Sequence, residues 1–122
     1  MPALNQKAIG ALLSSTASVD MKTAASTALY IVPTGKVLRI TGLVVRDNSA
    51  SLAGGTSYSV TGWRQTFSLA AATTANTSYI NVFGADLAAY TEQAAGTTIN
   101  FTVTTGATAA GTATIDLFGY LT

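Results

Sequence analysis

The sequence predicts an all-β fold: a single-domain β-sandwich of about eight antiparallel strands, which would permit a jelly roll. Three observations predict it. Short runs rich in Val, Ile, Thr, Tyr and Phe recur, each bounded by Gly, Pro, Asn, Ser or Ala clusters. Residues 97–105 and 112–121 alternate apolar and polar with the period of two that a half-buried strand requires. No long stretch carries a helical period, and at 122 residues the chain is one domain long. A chain of this size buries roughly 65% of its unfolded surface, enough for a core without staples.

The elements follow in order. Residues 1–16 read as an N-terminal arm, and residues 17–122 as the sandwich domain. Leu4, Ala8, Ala11 and Leu12 fall at helical spacing, but Gly10 and the Ser14-Ser15-Thr16 cluster weaken a helix there. The apolar run 8–13 resembles a signal h-region, yet it is short and has only Lys7 before it. Residues 17–23 alternate, with Val19 and Met21 opposite Asp20 and Lys22. Residues 28–46 read as one β-hairpin. Its first strand is 29–32, its turn has Pro33 at i+1 with Gly35 closing the loop, and its second strand is 37–46. That second strand carries apolar residues on both faces: Leu38, Ile40 and Val44 on one, Val37, Leu43 and Val45 on the other. Such a strand is expected to be covered on both sides.

Residues 47–56 are turn chemistry throughout, with Leu52 as their one large apolar residue and an Asx turn expected at Asp47-Asn48. Residues 58–62 and 63–69 read as two short strands, or as one bent at Gly62, with Trp63, Gln65 and Phe67 on one face. A loop at 70–77 and a strand at 78–83 follow. Residues 84–96 have room for a helical turn capped by Asp86. The strand 97–105 points Ile99, Phe101 and Val103 inward. A second hairpin loop, 106–111, leads into the closing strand, where Ile115 and Leu117 face opposite to Asp116, Phe118 and Tyr120. Two aromatic residues on an outward face suggest a covered exterior.

Composition narrows the function. The chain has no Cys and no His, which removes thiolate chemistry, the commonest general base and the commonest metal ligand. Charged residues make up 9% of the chain, against about 25% in an ordinary soluble domain. The net charge is +1, so no basic footprint for nucleic acid or for an anionic membrane is present. No apolar run approaches the roughly 18 residues of a membrane helix. The five acids, Asp20, Asp47, Asp86, Glu92 and Asp116, form no motif that pairs two carboxylates across a cleft. Lys22 and Lys36 flank solvent-facing turns, and Gly54-Gly55 lacks the Gly-Lys-Ser/Thr of a phosphate loop. Arg39, Arg46 and Arg64 are too few for a nucleic-acid track. The expectation is a non-enzymatic protein with no cofactor and no metal. So little surface charge suits a subunit that packs against neighbours.

Four segments carry a resemblance. They are Tyr-Ile-Val-Pro-Thr-Gly-Lys at 30–36, Val-Val-Arg-Asp-Asn-Ser-Ala-Ser-Leu-Ala-Gly-Gly-Thr at 44–56, Trp-Arg-Gln at 63–65 and Ala-Thr-Ile-Asp-Leu-Phe-Gly-Tyr-Leu at 113–121. In this order they resemble small virion proteins of tailed bacteriophages, of the capsid decoration (cement) type. The resemblance spans roughly residues 28–122 and leaves out the arm. It implies a structural protein on the outer surface of the capsid, a homotrimer whose partners are itself and the major capsid protein. It supplies no catalytic residues.

The expected capsid or subunit contacts are Leu4 and Leu12 on the arm, Arg46, Leu52 on its loop, Trp63, Arg64, Phe118 and Tyr120. The arm and the loop 47–56 are the segments expected to face the capsid. The alternative is a receptor- or glycan-binding module of a phage head or tail fibre, with Trp63, Tyr58 and Tyr79 as stacking faces.

Overall fold

The computed structural model describes residues 11–63, 65–76, 80–82 and 92–122, with only the backbone described for 80–82. These residues form an all-β fold of two antiparallel sheets, with no helix among them. Among the described residues there are seven strands: β1 (Ala11–Asp20), β2 (Ser26–Ile31), β3 (Leu38–Arg46), β4 (Ser57–Val60), β5 (Ile80–Val82), β6 (Thr98–Thr105) and β7 (Thr112–Leu121). One sheet runs β1-β7-β3-β5 and the other β2-β6-β4, an arrangement consistent with a β-sandwich.

The pairing is nested. The outermost pair is β1 with β7, then β2 with β6, then β3 with β5. The innermost is a single bridge between Tyr58 of β4 and Phe67. There the Tyr58 N–H donates to the Phe67 carbonyl at 2.9 Å and the Phe67 N–H to the Tyr58 carbonyl at 2.8 Å. Successive nested pairs alternate between the sheets, and the ladders β7·β3 and β6·β4 join them. The registers also fix two ends of the molecule. Ala11, Leu38 and Leu121 lie at one, here called the arm end, and Asp20, Arg46 and Thr112 at the other, the loop end.

The core lies between the sheets. Leu38, Ile40, Leu43, Val45, Ile115 and Leu117 enter it from one side, and Tyr58, Val60, Ile99, Phe101 and Val103 from the other. Tyr58 stacks on Phe101 with ring centroids 5.5 Å apart, and Phe67 tilts against both. The Tyr58 hydroxyl donates to the Met21 carbonyl at 3.0 Å, and burial pushes its pKa up. Residues 97–105 and 112–121 alternate as their sequence requires.

Several expectations are corrected. Residues 28–46 are not a hairpin: β2 pairs with β6, while β3 pairs with β7 and β5 in the other sheet. The turn between them does close, with the Lys36 N–H donating to the Pro33 carbonyl at 3.1 Å. Pro33 is therefore position i, and Gly35, with φ +77°, is i+2. A positive φ at i+2 is the type II signature, whose twist splays the flanking strands instead of pairing them. Residues 106–111 are likewise a crossover between β6 and β7, which belong to different sheets.

β3 is not apolar on both faces. Its ladder with β7 shifts between Ile40 and Gly42, so Thr41 is an extra residue. One inserted residue inverts the alternation. Leu38 and Ile40 before it, and Leu43 and Val45 after it, therefore all point into the core. The expected arm boundary at 16/17 also moves: residues 11–16 already belong to β1 and pair with β7, so their spacing was not helical. Residues 63–69 contribute the bridge at Phe67 in place of a named strand. The turn proposed around Asp86 and the ring of Tyr79 lie outside the described residues.

Two outcomes are expected from this packing. Tyr58→Phe removes one donor from the Met21 carbonyl, which keeps the Ala107 N–H at 2.9 Å. The loss should be about 1 kcal/mol, read from the urea midpoint at unchanged slope. Gly106→Ala should cost more, about 1–3 kcal/mol, because an added Cβ would overlap the Lys22 backbone carbonyl.

Candidate interaction surface

The outer face of the β1-β7-β3 sheet gathers most of the expected contacts that the structure describes. Along β7, Thr114, Asp116, Phe118 and Tyr120 alternate outward. Their neighbours follow from register: Ser15 and Val44 flank Asp116, Leu12 and Gly42 flank Phe118, and Arg39 lies opposite Tyr120. The face thus divides into a polar half toward the loop end and an apolar half toward the arm end.

In the polar half, Arg46 is the hub. Its Nε donates to Asp116 Oδ2 at 2.8 Å and its Nη1 to Asp47 Oδ2 at 2.6 Å. Its Nη2 reaches Ser15 Oγ at 3.2 Å, and Ser15 Oγ donates to Asp116 Oδ1 at 2.6 Å. Three strands are tied by one guanidinium. The hydrogen bond to Asp116 raises the Arg46 pKa still further, so the group stays charged at any working pH. The Asp116 side chain is 13% exposed and that of Asp47 60%, so the two ion pairs sit in very different dielectrics.

In the apolar half, Phe118 and Tyr120 are half-buried beside Leu12, which is 56% exposed. Two more large apolar residues stand open at the same end: Ile31 at 61%, at the close of β2, and Leu121 at 36%. β2 reaches the arm end because Ile31 pairs with Thr98, where β6 begins. All three exposed large hydrophobic residues among those described therefore share one end.

The loop end differs. Asn48, 2% exposed, donates through Nδ2 to the carbonyls of Ala50 and Thr74, both at 2.9 Å. The Ser49 N–H donates to the Thr112 carbonyl at 2.8 Å. The loop 47–56 is thereby fastened to its neighbours. Asp47 does not form the expected Asx turn; its carboxylate takes the Arg46 guanidinium, and Asn48, Ser49 and Ser51 supply the loop's side-chain bonds.

Of the expected contact residues, Leu12, Arg46, Phe118 and Tyr120 share this face. Leu52 does not belong to a surface: it is 1% exposed, because the loop folds over the end of the core, with the Leu52 N–H bonded to the Ala72 carbonyl at 2.8 Å. Trp63 is half-buried just beyond the end of β4, tilted against Phe67 at 5.7 Å between centroids. Leu4 and Arg64 lie outside the described residues. The stacking role considered for Tyr58 is excluded by its complete burial. Sequence reading missed Ser15, Ile31 and Leu121. The first two sit on β1 and β2, each at the edge of its sheet, and edge position is not written locally in a sequence.

Among the described residues no group of three or more His, Cys, Asp or Glu is placed to hold a metal. No family model matches the chain, and no curated protein or solved structure does.

The ion-pair geometry gives an ordering. Arg46→Ala leaves the mostly buried Asp116 carboxylate with Ser15 alone and should lower the urea midpoint clearly. Asp47→Asn, which keeps a side chain tolerant of the positive φ at 47, should stay within about 0.5 kcal/mol. Urea melts of both variants at low and at 0.5 M salt read the difference.

A pH effect follows at the loop end. Backbone N–H donation from Lys22, at 2.8 Å, and from Thr23, at 3.1 Å, holds the Asp20 carboxyl below its usual pKa. A depressed folded-state pKa gives stability that is present above the unfolded value of about 3.9 and lost as pH falls through the folded one. Asp20→Ala should therefore lower the melting temperature at pH 6, and the gap to the parent should narrow below about pH 4.

Proposed function

We propose that the chain is a structural, non-enzymatic protein of a tailed-bacteriophage virion. In this reading it is a decoration protein on the outer surface of the capsid, a homotrimer that clamps neighbouring major capsid subunits. The observation that carries the assembled state is the outer face of β1-β7-β3. Leu12, Phe118 and Tyr120 there form an apolar half-face beside exposed Ile31 and Leu121, in a chain with 9% charged residues. A monomer in dilute solution gains nothing from such a grouping, whereas a subunit closed in cyclic symmetry buries it. The virion assignment is supported by the four ordered segments that resemble cement proteins.

The jelly-roll part of the reading is supported by strand order. Counting the Phe67 bridge as an eighth strand, each half of the chain pairs with the other in reverse order, one pair per sheet in alternation. That is what a long two-stranded ribbon rolled on itself would give, and rolled double sheets of this kind recur in viral shells. A cement protein stabilises its shell by mass action, because it binds the assembled lattice and not loose subunits.

Of the two segments expected to face the capsid, the described part of the arm begins at one end of the fold and the loop 47–56 leaves the other. β1 begins at the arm end, and the loop follows Arg46 at the loop end. The strands between them span about 30 Å. The arm end, with its exposed apolar residues, is the side assigned here to partners.

Light scattering after size exclusion, followed by addition of undecorated shells, tests the proposal. A trimer that binds shells saturably is expected. Leu12→Glu, at an exposed position, should leave the melting temperature of the subunit nearly unchanged and weaken trimer formation or shell binding by tenfold or more. A monomer that ignores shells, or is retained on glycans instead, overturns the reading.

A further inference from the structure

Two strands that are outermost in their sheets, among those described, are both bulged. β1 ends one sheet and β2 the other, and the two are consecutive in the chain and in contact. Against β7, β1 carries two extra residues, one between Leu12 and Ser14 and one between Thr16 and Val19. Against β6, β2 carries one, between Ala28 and Tyr30. At the second bulge of β1, Ser18 takes a left-handed conformation, φ +58°, which strains any residue that has a Cβ. Ala17 and Ser18 are both exposed. The register does not require this bulge. Without Ser18, Ala17 would oppose Thr114, while Thr16 kept Ile115 and Val19 kept Ala113. Val19, 2% exposed, would stay in the core, and the Ser15–Asp116 hydrogen bond at 2.6 Å would stay on the outer face. The packing beneath the strand therefore does not explain the strained residue.

What the strand lacks does explain it. An outer strand offers its backbone N–H and C=O groups to any other strand, and proteins blunt such edges with charge, proline or a bulge. Asp20, at the last position, is the one charged residue of β1; β2 has none, and neither strand contains proline. In a chain with 9% charged residues the bulge is the guard that remains. A bulge raises the local twist and interrupts the straight row of backbone groups that a second strand needs. We infer that the bulge at Ala17–Ser18 keeps a second copy of this chain from pairing edge to edge with β1. The bulge of β2 serves the same end beside it. The inference is independent of the virion reading: it holds or fails on the isolated protein, without shells.

Light scattering at equal concentration, well below the melting temperature, tests it with three variants. Ser18→Gly keeps the left-handed conformation without strain and should hold the parent's size. A chain lacking Ser18 should fold, with the parent's far-ultraviolet circular dichroism and a cooperative melt. It should nevertheless grow into assemblies larger than the parent's about tenfold faster. Adding Ala17→Lys to the shortened chain places a charge on the straightened strand and should return it to the parent's rate. The parent's size in the shortened chain overturns the inference. Fast association that Ala17→Lys does not slow also overturns it, because the contact then lies elsewhere. Loss of the fold in the shortened chain overturns it too, since the bulge then serves the core and not the edge.

Discussion

Everything in this fold depends on β7 being held on both sides. It comes last in order among the described strands, yet it lies inside its sheet, bonded to β1 on one flank and β3 on the other. Its inward residues, Ala113, Ile115 and Leu117, form the floor of the core. Its outward residues carry both the Asp116 ion-pair hub and the Phe118–Tyr120 apolar half-face. Core and surface are therefore two sides of one strand, and a change that shifts its register would exchange them.

That arrangement explains which parts of the fold were legible in the sequence. β6 and β7 could be read because their alternation is unbroken, and nothing in their pairing disturbs it. β3 was misread because Thr41 adds a residue that the alternation cannot reveal; the clue was an apolar pattern that changes phase midway. The corner at Pro33–Gly35 was misread for a related reason. A type II turn and a hairpin turn draw on the same residue types, and only the sign of φ at the first central position separates them. Local chemistry gave the turn, while the partner of each flanking strand was set 67 to 83 residues away, at β6 and β7.

The surface shows the same division. Arg46, Phe118 and Tyr120 were visible as outward residues of strands. The link of Arg46 to Asp116 and Ser15 was not, because it joins three strands whose order in the sheet is not their order in the chain. Leu52 looked like an exposed loop residue because loops usually run outside. Here Asn48 fastens the loop inward, and the leucine closes the end of the core. A buried asparagine inside a run of small residues was the available signal, since amide groups enter a core only where they are fully bonded.

The placement of β7 has a consequence for synthesis. On the ribosome β1 and β3 emerge well before the strand that lies between them, so neither can pair with it until residues 112–121 have been made. Until then β1 has no partner in its sheet among the described strands and β3 has only β5, and the sheet closes when β7 threads between strands already made. Such non-local closure is slow. A chain cut short ahead of residue 112 would keep the β2·β6 and β3·β5 pairings that join its two halves, but would leave β1 without the strand it pairs with and β3 with β5 alone.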